Sequence, residues 1–413
     1  MRKIGQVARK ELYCETTSYL DTIHSNSNGW ITKAEMNCGY KQWHYKYNDL
    51  LEQDFSKENV YISINTFYST FRRLEYLKEL KAQFIDLDIY KTGFTKEQII
   101  MQLEADYFNK SIPRPNLIID SGRGIYLIWL LNSAPSKALP LWKAIEEYLY
   151  SVLKSFGADR QALDPTRVLR VPGSINSKSN TTVKIIEQYD YIYDLREIQS
   201  EYLPELEERK TKKKGRPGKT VFIHRERSLY YARIQDIIKI CELREYDLKG
   251  HREIILFLYR YYLCSFLENT HKALEDVLEL NREFIYPLSE REVIRATRSA
   301  EKVYLSKNKE YKYKNETLIE LLEITDFEET YMTTIISNKE YKRRNNEYNK
   351  KKYKEKLKAE GKVSEKDKIS QRRAKIKDLL AKGLSQKDIY LSLNISKRTC
   401  INDIKYLKEQ GLI

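Results

Sequence analysis

The chain has 413 residues, of which 41% are hydrophobic, so it can form two or three domains with buried cores. Its 74 basic and 59 acidic residues give a net charge of +15, which favours a polyanionic partner, either nucleic acid or an anionic membrane surface. Five cysteines without a Cys-x-x-Cys pair disfavour a zinc site and indicate a reducing compartment.

Nucleic acid is favoured over an anionic membrane surface, because the basic residues gather in two linkers and the C-terminus without an amphipathic lipid-binding helix. The N-terminus lacks the apolar stretch of a signal peptide, and the longest apolar run is too short to span a membrane. We therefore expect a cytoplasmic protein without a membrane partner.

Residues 1–205 alternate strand and helix patterns without regular βαβ spacing, which favours an α+β fold. Runs rich in β-branched and aromatic residues predict strands at 60–70, 84–90, 116–120, 125–131, 167–171 and 181–189. Apolar residues at helical spacing predict helices at 72–82, 95–108 and 136–156. Thr95 is predicted to cap the second helix, and SGRG at 121–124 to connect a β-hairpin.

A basic linker is predicted at 206–222, followed by an all-helical domain at 223–310 in which IILFLYRYYLCSFL forms a core helix. Within that domain, Ser289 and Glu292 have the spacing of a capping box. Residues 311–368 follow as a basic helical or flexible tether, because their charges leave almost no apolar stripe.

The last predicted domain, 369–413, has the helix-turn-helix pattern of a DNA-binding unit. Ser385 caps its second helix, Ser396 caps its third, and Asn394 suits the tight turn between them. Eight aliphatic residues can share one small core: Leu379, Leu380, Leu384, Ile389, Leu393, Ile395, Ile401 and Ile404. Five residues of the third helix are predicted to bind DNA: Lys397, Arg398, Thr399, Asn402 and Lys405. A helical bundle with a basic face is the alternative.

The run FIDLDIY sets two aspartates two positions apart in an apolar strand. Asp86 and Asp88 would then share one strand face, roughly 6.6 Å apart, where a divalent cation would offset their repulsion. An exposed strand face with two solvated acids is the alternative. Asp164 provides a third carboxylate just before a strand that carries Arg167 and Arg170. Three carboxylates with adjacent arginines suit Mg²⁺ and a triphosphate, because acids bind hard cations and arginines bind phosphate oxygens.

Three stretches in order, FIDLDIY, SGRGIYLIW and LDPTRVLRVPGSINSK, resemble the three motifs of archaeo-eukaryotic primase-like (primase-polymerase) cores. The likeness is greatest to replication initiator proteins of plasmids and integrative elements in Gram-positive bacteria. YPLSEREVIRATRSAEKVY resembles the helical primase C-terminal domain that often follows such cores. The resemblance covers roughly residues 55–305, and the ordered triplet is more specific than any single motif.

The resemblance implies a core with an antiparallel or mixed sheet that carries out metal-dependent nucleotidyl transfer. It implies that Asp86, Asp88 and Asp164 are the catalytic acids and bind Mg²⁺ or Mn²⁺. Nine residues are expected to contact the nucleotide or DNA: Ser121, Gly122, Arg123, Gly124, Tyr126, Arg167, Arg170, Asn176 and Lys178. The expected partners are origin duplex, single-stranded template and nucleoside triphosphates, with a replicative helicase as a further candidate.

The chain departs from the family pattern at Tyr126, where a nucleotide-contacting histidine is usual, because tyrosine carries no positive charge near neutral pH. The sequence therefore leaves open a primer-synthesising or DNA-extending replication protein and a DNA-binding initiator or regulator with an inactive core. A metal-dependent nuclease is a third possibility, although the motifs contain no lysine or histidine placed as a general base. A rolling-circle nicking enzyme is disfavoured, since the chain has no His-x-His pair.

Overall fold

The computed structural model describes residues 15–37, 39–203, 219–306, 313–360 and 365–413. The chain forms two compact units, Met1–Ile335 and Ile336–Ile413. Most of the predicted basic linker, up to residue 218, lies outside the described residues. Across the described ranges, no helix is both long and apolar enough to cross a membrane.

The first unit is an α+β structure whose described strand pairs are all antiparallel. Its strands are β1 Ile31–Met36, β2 Tyr40–Tyr45, β3 Val60–Ser63, β4 Thr66–Phe67, β5 Leu77–Leu87, β6 Leu117–Asp120, β7 Ile125–Pro135, β8 Val168–Arg170, β9 Ile175–Asn176, β10 Thr181–Thr182 and β11 Lys184–Gln188. They form a five-stranded sheet (β11-β6-β7-β5-β4), a four-stranded sheet (β2-β1-β3-β8) and the pair β10-β9.

Helices occur between the strands of the first unit, and every described element after β11 is a helix. Those of the first unit are α1 (15–24), α2 Tyr47–Leu51, α3 Lys96–Asp106, α4 Leu139–Leu153, α5 Leu195–Tyr202, α6 Lys219–Leu243, α7 Arg252–Leu267, α8 Thr270–Glu283, α9 Glu290–Ser306, α10 Asn315–Leu321 and α11 Asp326–Glu329. Those of the second unit are α12 Asn338–Ala359, α13 Glu365–Ala381, α14 Gln386–Ser392 and α15 Lys397–Glu409.

Strands β5 and β7 are long antiparallel neighbours in the five-stranded sheet, and the end of β5 at Leu87 lies beside the start of β7 at Ile125. Phe84, Ile85 and Leu87 are buried, and α4 packs across β5. The indole N–H of Trp142 in α4 donates a hydrogen bond to the carbonyl oxygen of Ala82 across 2.8 Å, which fixes the helix against the strand. As predicted, β6 and β7 form a hairpin through the SGRG turn.

The helix predicted at 72–82 is wrong. A short 3₁₀ turn at Leu74–Tyr76 leads directly into β5, whose residues pair with β7 from Glu79 onward. Leucines three positions apart favoured a helix in isolation. The long antiparallel pairing with β7 outweighs that local preference, because tertiary contacts decide such ambiguous segments.

The helical part of the first unit is built around α7, which is buried along most of its length and packs against α6, α8 and α9. This confirms the predicted core helix. The capping box at the start of α9 is also confirmed: the Ser289 hydroxyl accepts from the Glu292 N–H, and the Glu292 carboxylate accepts from the Ser289 N–H across 2.8 Å.

This helical part extends beyond the boundary predicted at residue 310. The Asp236 carboxylate in α6 accepts hydrogen bonds from the backbone N–H groups of Thr333 and Ile335, at 2.6 and 2.8 Å. Arg244, directly after α6, forms an ion pair with Glu328 at 2.7 Å. The described residues 313–335 therefore belong to the first unit, because they cap and pair with α6, and were wrongly included in the predicted tether.

The second unit consists of the long basic helix α12 and three shorter helices. The predicted caps are confirmed: the side chains of Ser385 and Ser396 accept from the first turns of α14 and α15, and Asn394 adopts a left-handed turn. The buried core consists of Ile376, Ile389, Cys400, Ile404 and Leu407. The placement of Ile401 in this core is wrong, since its neighbour Cys400 faces inward and Ile401 is 44% exposed.

Candidate functional site

The candidate site lies where the two larger sheets of the first unit approach each other. Asp86 at the end of β5 pairs with Tyr126 of β7. From the four-stranded sheet, Arg170 of β8 pairs with Tyr61 of β3, and its guanidinium group lies 4.9 Å from the Tyr61 ring centroid. Asp86 and Arg170 are electrostatic neighbours of both tyrosines. The pairing of these strands therefore gathers one acid, one arginine and two phenols.

Asp86 is a half-buried residue with other acids beside it. Burial raises its pKa to about 7, and the neighbouring Asp88 and Asp159 add to this rise. Arg167 and Arg170 oppose it, but do not offset it. Without further positive charge, Asp86 is therefore substantially protonated near neutral pH.

Asp88, the second acid of FIDLDIY, lies at the end of β5. Its backbone N–H donates to the carbonyl oxygen of Gly157 across 2.8 Å, and its carboxylate forms an ion pair with Lys91 at 2.5 Å. Because Asp88 is an electrostatic neighbour of Asp86, the structure brings these two predicted acids together.

The third predicted acid, Asp164, faces a different environment. Its carboxylate accepts hydrogen bonds from the N–H and hydroxyl groups of Thr166, both at 2.9 Å, and it is 6% exposed. Several charged side chains are its electrostatic neighbours: Arg72 before β5, Lys143 and Glu146 of α4, and Lys272 and Asp276 of α8. The structure does not bring Asp164 together with Asp86 and Asp88, and among the described residues no three His, Cys, Asp or Glu side chains are grouped closely enough to hold a metal ion.

Asp159 is a further acid beside Asp86, one that the sequence motifs did not single out. Its backbone N–H donates to the carbonyl oxygen of Asp86 across 2.9 Å, so the loop after α4 runs beside the end of β5. Gly157 allows this approach through a φ of +86°, and a Cβ there would lie 3.0 Å from the Asp88 carbonyl oxygen. Arg167 Nη2 lies 4.0 Å from a carboxylate oxygen of Asp159. The sequence signal for Asp159 was its place in the Gly-Ala-Asp segment at 157–159, which directly follows the helix predicted at 136–156.

The SGRG turn adjoins the same end of β5, because a Cβ at Gly124 would lie 2.2 Å from the carbonyl oxygen of Leu87. Its Gly122 N–H donates to the Asp120 carboxylate at 2.8 Å, and its Ser121 N–H to the carbonyl oxygen of Gly124 at 3.0 Å. These two N–H groups are therefore engaged within the turn. Arg123 is the exposed cation of the turn.

The remaining predicted contacts divide into buried and exposed residues. Asn176 is buried, and its side-chain amide donates to the carbonyl oxygen of Ser121 at 2.7 Å, so it links the SGRG turn to the loop after β9. Lys178 is exposed beyond it. Tyr126 is buried, and burial together with Asp86 raises its pKa well above the usual value, so its hydroxyl stays neutral.

In the second unit, α15 carries the residues predicted to bind DNA. Four of them are exposed: Lys397, Arg398, Asn402 and Lys405. Thr399 is half-buried, and its hydroxyl lies 2.8 Å from the Ser396 hydroxyl. The single acid near the middle of the helix, Asp403, is buried and accepts hydrogen bonds from Arg372 and Arg373 of α13, at 2.7 and 2.8 Å.

A search of protein-family models finds no match for this chain. A "Replication protein" of Clostridium perfringens is 64% identical over 406 residues, which cover 98% of this chain and 100% of the relative. The AEP domain of the cyanophage S-2L primase-polymerase aligns with a TM-score of 0.35 and 17% identity, covering 46% of this chain and 97% of that domain. The primase RepB′ aligns with a TM-score of 0.31 and 12% identity, covering 69% of this chain and 94% of that protein. TM-scores this low do not establish a shared fold.

Proposed function

The chain belongs to the family of the Clostridium perfringens replication protein, and we propose that it is a primase-polymerase. In this proposal the first unit extends DNA or synthesises primers by metal-dependent nucleotidyl transfer, and the second unit binds duplex DNA. The three ordered motifs of the sequence favour a protein that initiates replication of a plasmid or mobile element.

The half-buried carboxyl group of Asp86 carries this proposal. With Asp88 and Asp159 as neighbours, this acid is poorly compensated by protein charges alone, which is why its pKa is raised to about 7. Oxygen ligands of this kind match the preference of Mg²⁺ and Mn²⁺. We therefore propose that Asp86 and Asp88 bind the metal ion and that Asp159 is the neighbouring acid, which would have to move closer to complete the site because no three such side chains of the described residues are grouped as a metal site. Asp164 holds its loop through Thr166.

When bound, the metal ions would activate the primer 3′-hydroxyl and neutralise charge on the triphosphate. The protein's own contribution is to orient the substrates. In this proposal Arg167 and Arg170 bind phosphate oxygens, and the stacking of Arg170 on Tyr61 restricts its motion. Tyr126 is buried beside Asp86 and can donate one neutral hydrogen bond there.

The test is template-directed incorporation of labelled nucleotides by the full-length protein in Mg²⁺ or Mn²⁺. Asp86→Asn should abolish incorporation, whereas its DNA affinity should be unchanged or slightly higher because a charge that repels phosphate is removed. Equal incorporation by wild type and Asp86→Asn would overturn the polymerase proposal. Hydrolysis of DNA in place of synthesis would favour a nuclease.

One observation favours a second function, an origin-binding initiator whose core is catalytically inactive. The group beside Asp86 on β7 is the neutral hydroxyl of Tyr126, where the family pattern calls for a histidine. A neutral phenol cannot stabilise the triphosphate charge as an imidazolium does. Site-specific DNA binding without incorporation in either metal would support this function.

For the second unit, we propose that α13–α15 form a helix-turn-helix and that α15 enters the major groove. The ion pairs of Asp403 with Arg372 and Arg373 support this, since they keep the acid inside and leave the first turns of α15 basic on their outer face. Arg398 and Asn402 are neighbours on that face and have side chains suited to base edges.

A further inference from the structure

One exposed residue of α15 does not fit a surface that only binds phosphates. Ile401 is 44% exposed, although it lies in the middle of the basic face of the helix. Residues three and four positions apart are neighbours on a helix surface. The exposed neighbours of Ile401 on α15 are therefore Lys397, Arg398 and Lys405, since its remaining neighbour Ile404 is buried. On the helix surface, Ile401 is thus an aliphatic side chain among three cations.

Ile401 also lines a shallow cavity of about 240 Å³ between α14 and α15. Lys387 and Lys397 line the same cavity, together with Tyr390 and Cys400. Two lysines at an apolar depression match a partner that presents an apolar group beside negative charge. An aliphatic partner surface would leave both ammonium groups desolvated and unpaired.

Duplex DNA has this combination in its major groove. Thymine places its C5-methyl group on the groove floor, within reach of the phosphates on either side. We propose that Ile401 contacts a thymine methyl group and so selects thymine at one position of the binding site. This inference rests on the proposed DNA binding by α15. Arg398 and Asn402, one turn apart on the same helix, would read the adjacent base edges.

The test uses full-length protein and the duplex that it selects from a pool of random-sequence duplexes. Each thymine of that duplex is replaced in turn by deoxyuridine, which removes only the C5-methyl group. For the wild type, replacement at one thymine should weaken binding about fourfold, the effect of one buried methyl group. Ile401→Ala should bind the thymine and deoxyuridine duplexes equally.

Leu391→Ala is the matched control, because Leu391 is an aliphatic residue of α14 that is 62% exposed. This variant should keep the fourfold preference for thymine. A wild type that tolerates every deoxyuridine, or an Ile401→Ala variant that keeps the preference, would overturn the proposal. So would a change of oligomeric state in Ile401→Ala without any deoxyuridine effect, since Ile401 would then pack against a second copy. A pool that yields no preferred sequence would instead overturn the proposed sequence-specific binding by α15.

Discussion

The backbone N–H of Asp159 donates a hydrogen bond to the carbonyl oxygen of Asp86 across 2.9 Å. This contact brings the loop that follows α4 beside the last residues of β5. A backbone hydrogen bond thus holds Asp159 beside Asp86. The same loop continues to Arg167, so one segment carries both an acid and a phosphate-binding candidate.

The affinity for Mn²⁺ should depend on pH through Asp86. Its pKa is raised to about 7, and metal binding requires the ionised form, so protons compete with the metal below that pH. Affinity should therefore fall as the pH is lowered, approaching tenfold per pH unit below about 6. Electron paramagnetic resonance titration with Mn²⁺ between pH 5.5 and 8 measures this.

Asp86→Asn is the control for this titration, because asparagine does not ionise in that range. The residual Mn²⁺ affinity of Asp86→Asn should not change with pH around 7, where Asp86 of the wild type ionises. A wild-type affinity that stays constant across the range would contradict the assignment of Asp86 as a ligand.

A buried ion-pair network joins the start of β5 to the helical part. Arg73 is fully buried and pairs with Glu75 at 3.1 Å and with Glu283 of α8 at 2.5 Å. Arg73→Met should lower the free energy of unfolding by about 3–5 kcal/mol, because two acids lose their buried partner. Chemical denaturation of the full-length protein measures this change.

Arg160→Met provides the comparison, since Arg160 pairs with Glu268 of the helical part at a largely exposed position. Its loss should cost about 1 kcal/mol or less. If both variants were destabilised equally, burial would not be the property that makes the Arg73 pair important.

The second unit should bind DNA through two separate surfaces. Replacing Lys350, Lys351 and Lys354 of α12 with glutamine should weaken binding to all DNA, since these exposed lysines can only neutralise phosphates. The slope of log K against log salt should decrease by about 0.9 for each lost phosphate contact. Filter binding across a salt series measures this slope.

Arg398→Ala and Asn402→Ala should act differently from the α12 variants. Each should cost about 1–3 kcal/mol at the preferred sequence, with little change on random duplex, because bidentate contacts to bases are lost. Equal losses on both duplexes would make α15 another phosphate-binding surface.

The sequence predicted the features whose cause is local. The caps at Thr95, Ser289, Ser385 and Ser396 are confirmed, because each depends on a side chain and the next helical turn. The α+β fold is confirmed as well. It could be predicted because strand and helix patterns alternate in the sequence. Each of these capping residues directly precedes the first residue of its helix.

Features that depend on distant pairing were missed. The segment at 72–82 became a strand because β7, some fifty residues later, pairs with its second half. Likewise, Asp164 and Asp159 are both acids in one short loop, and the sequence alone does not show which of them faces Asp86. That choice depends on the hydrogen bond between the Asp159 and Asp86 backbones.

The most direct test of the proposed nucleotidyl transfer compares Asp159→Asn with Asp164→Asn in template-directed incorporation by the full-length protein. We predict that Asp159→Asn loses about two orders of magnitude in rate or more, because a charge that serves the transition state is removed. Asp164→Asn should retain most of the wild-type rate, since an amide oxygen can still accept the hydrogen bond from the Thr166 N–H. The opposite result, with Asp164→Asn inactive and Asp159→Asn active, would contradict the site as assigned.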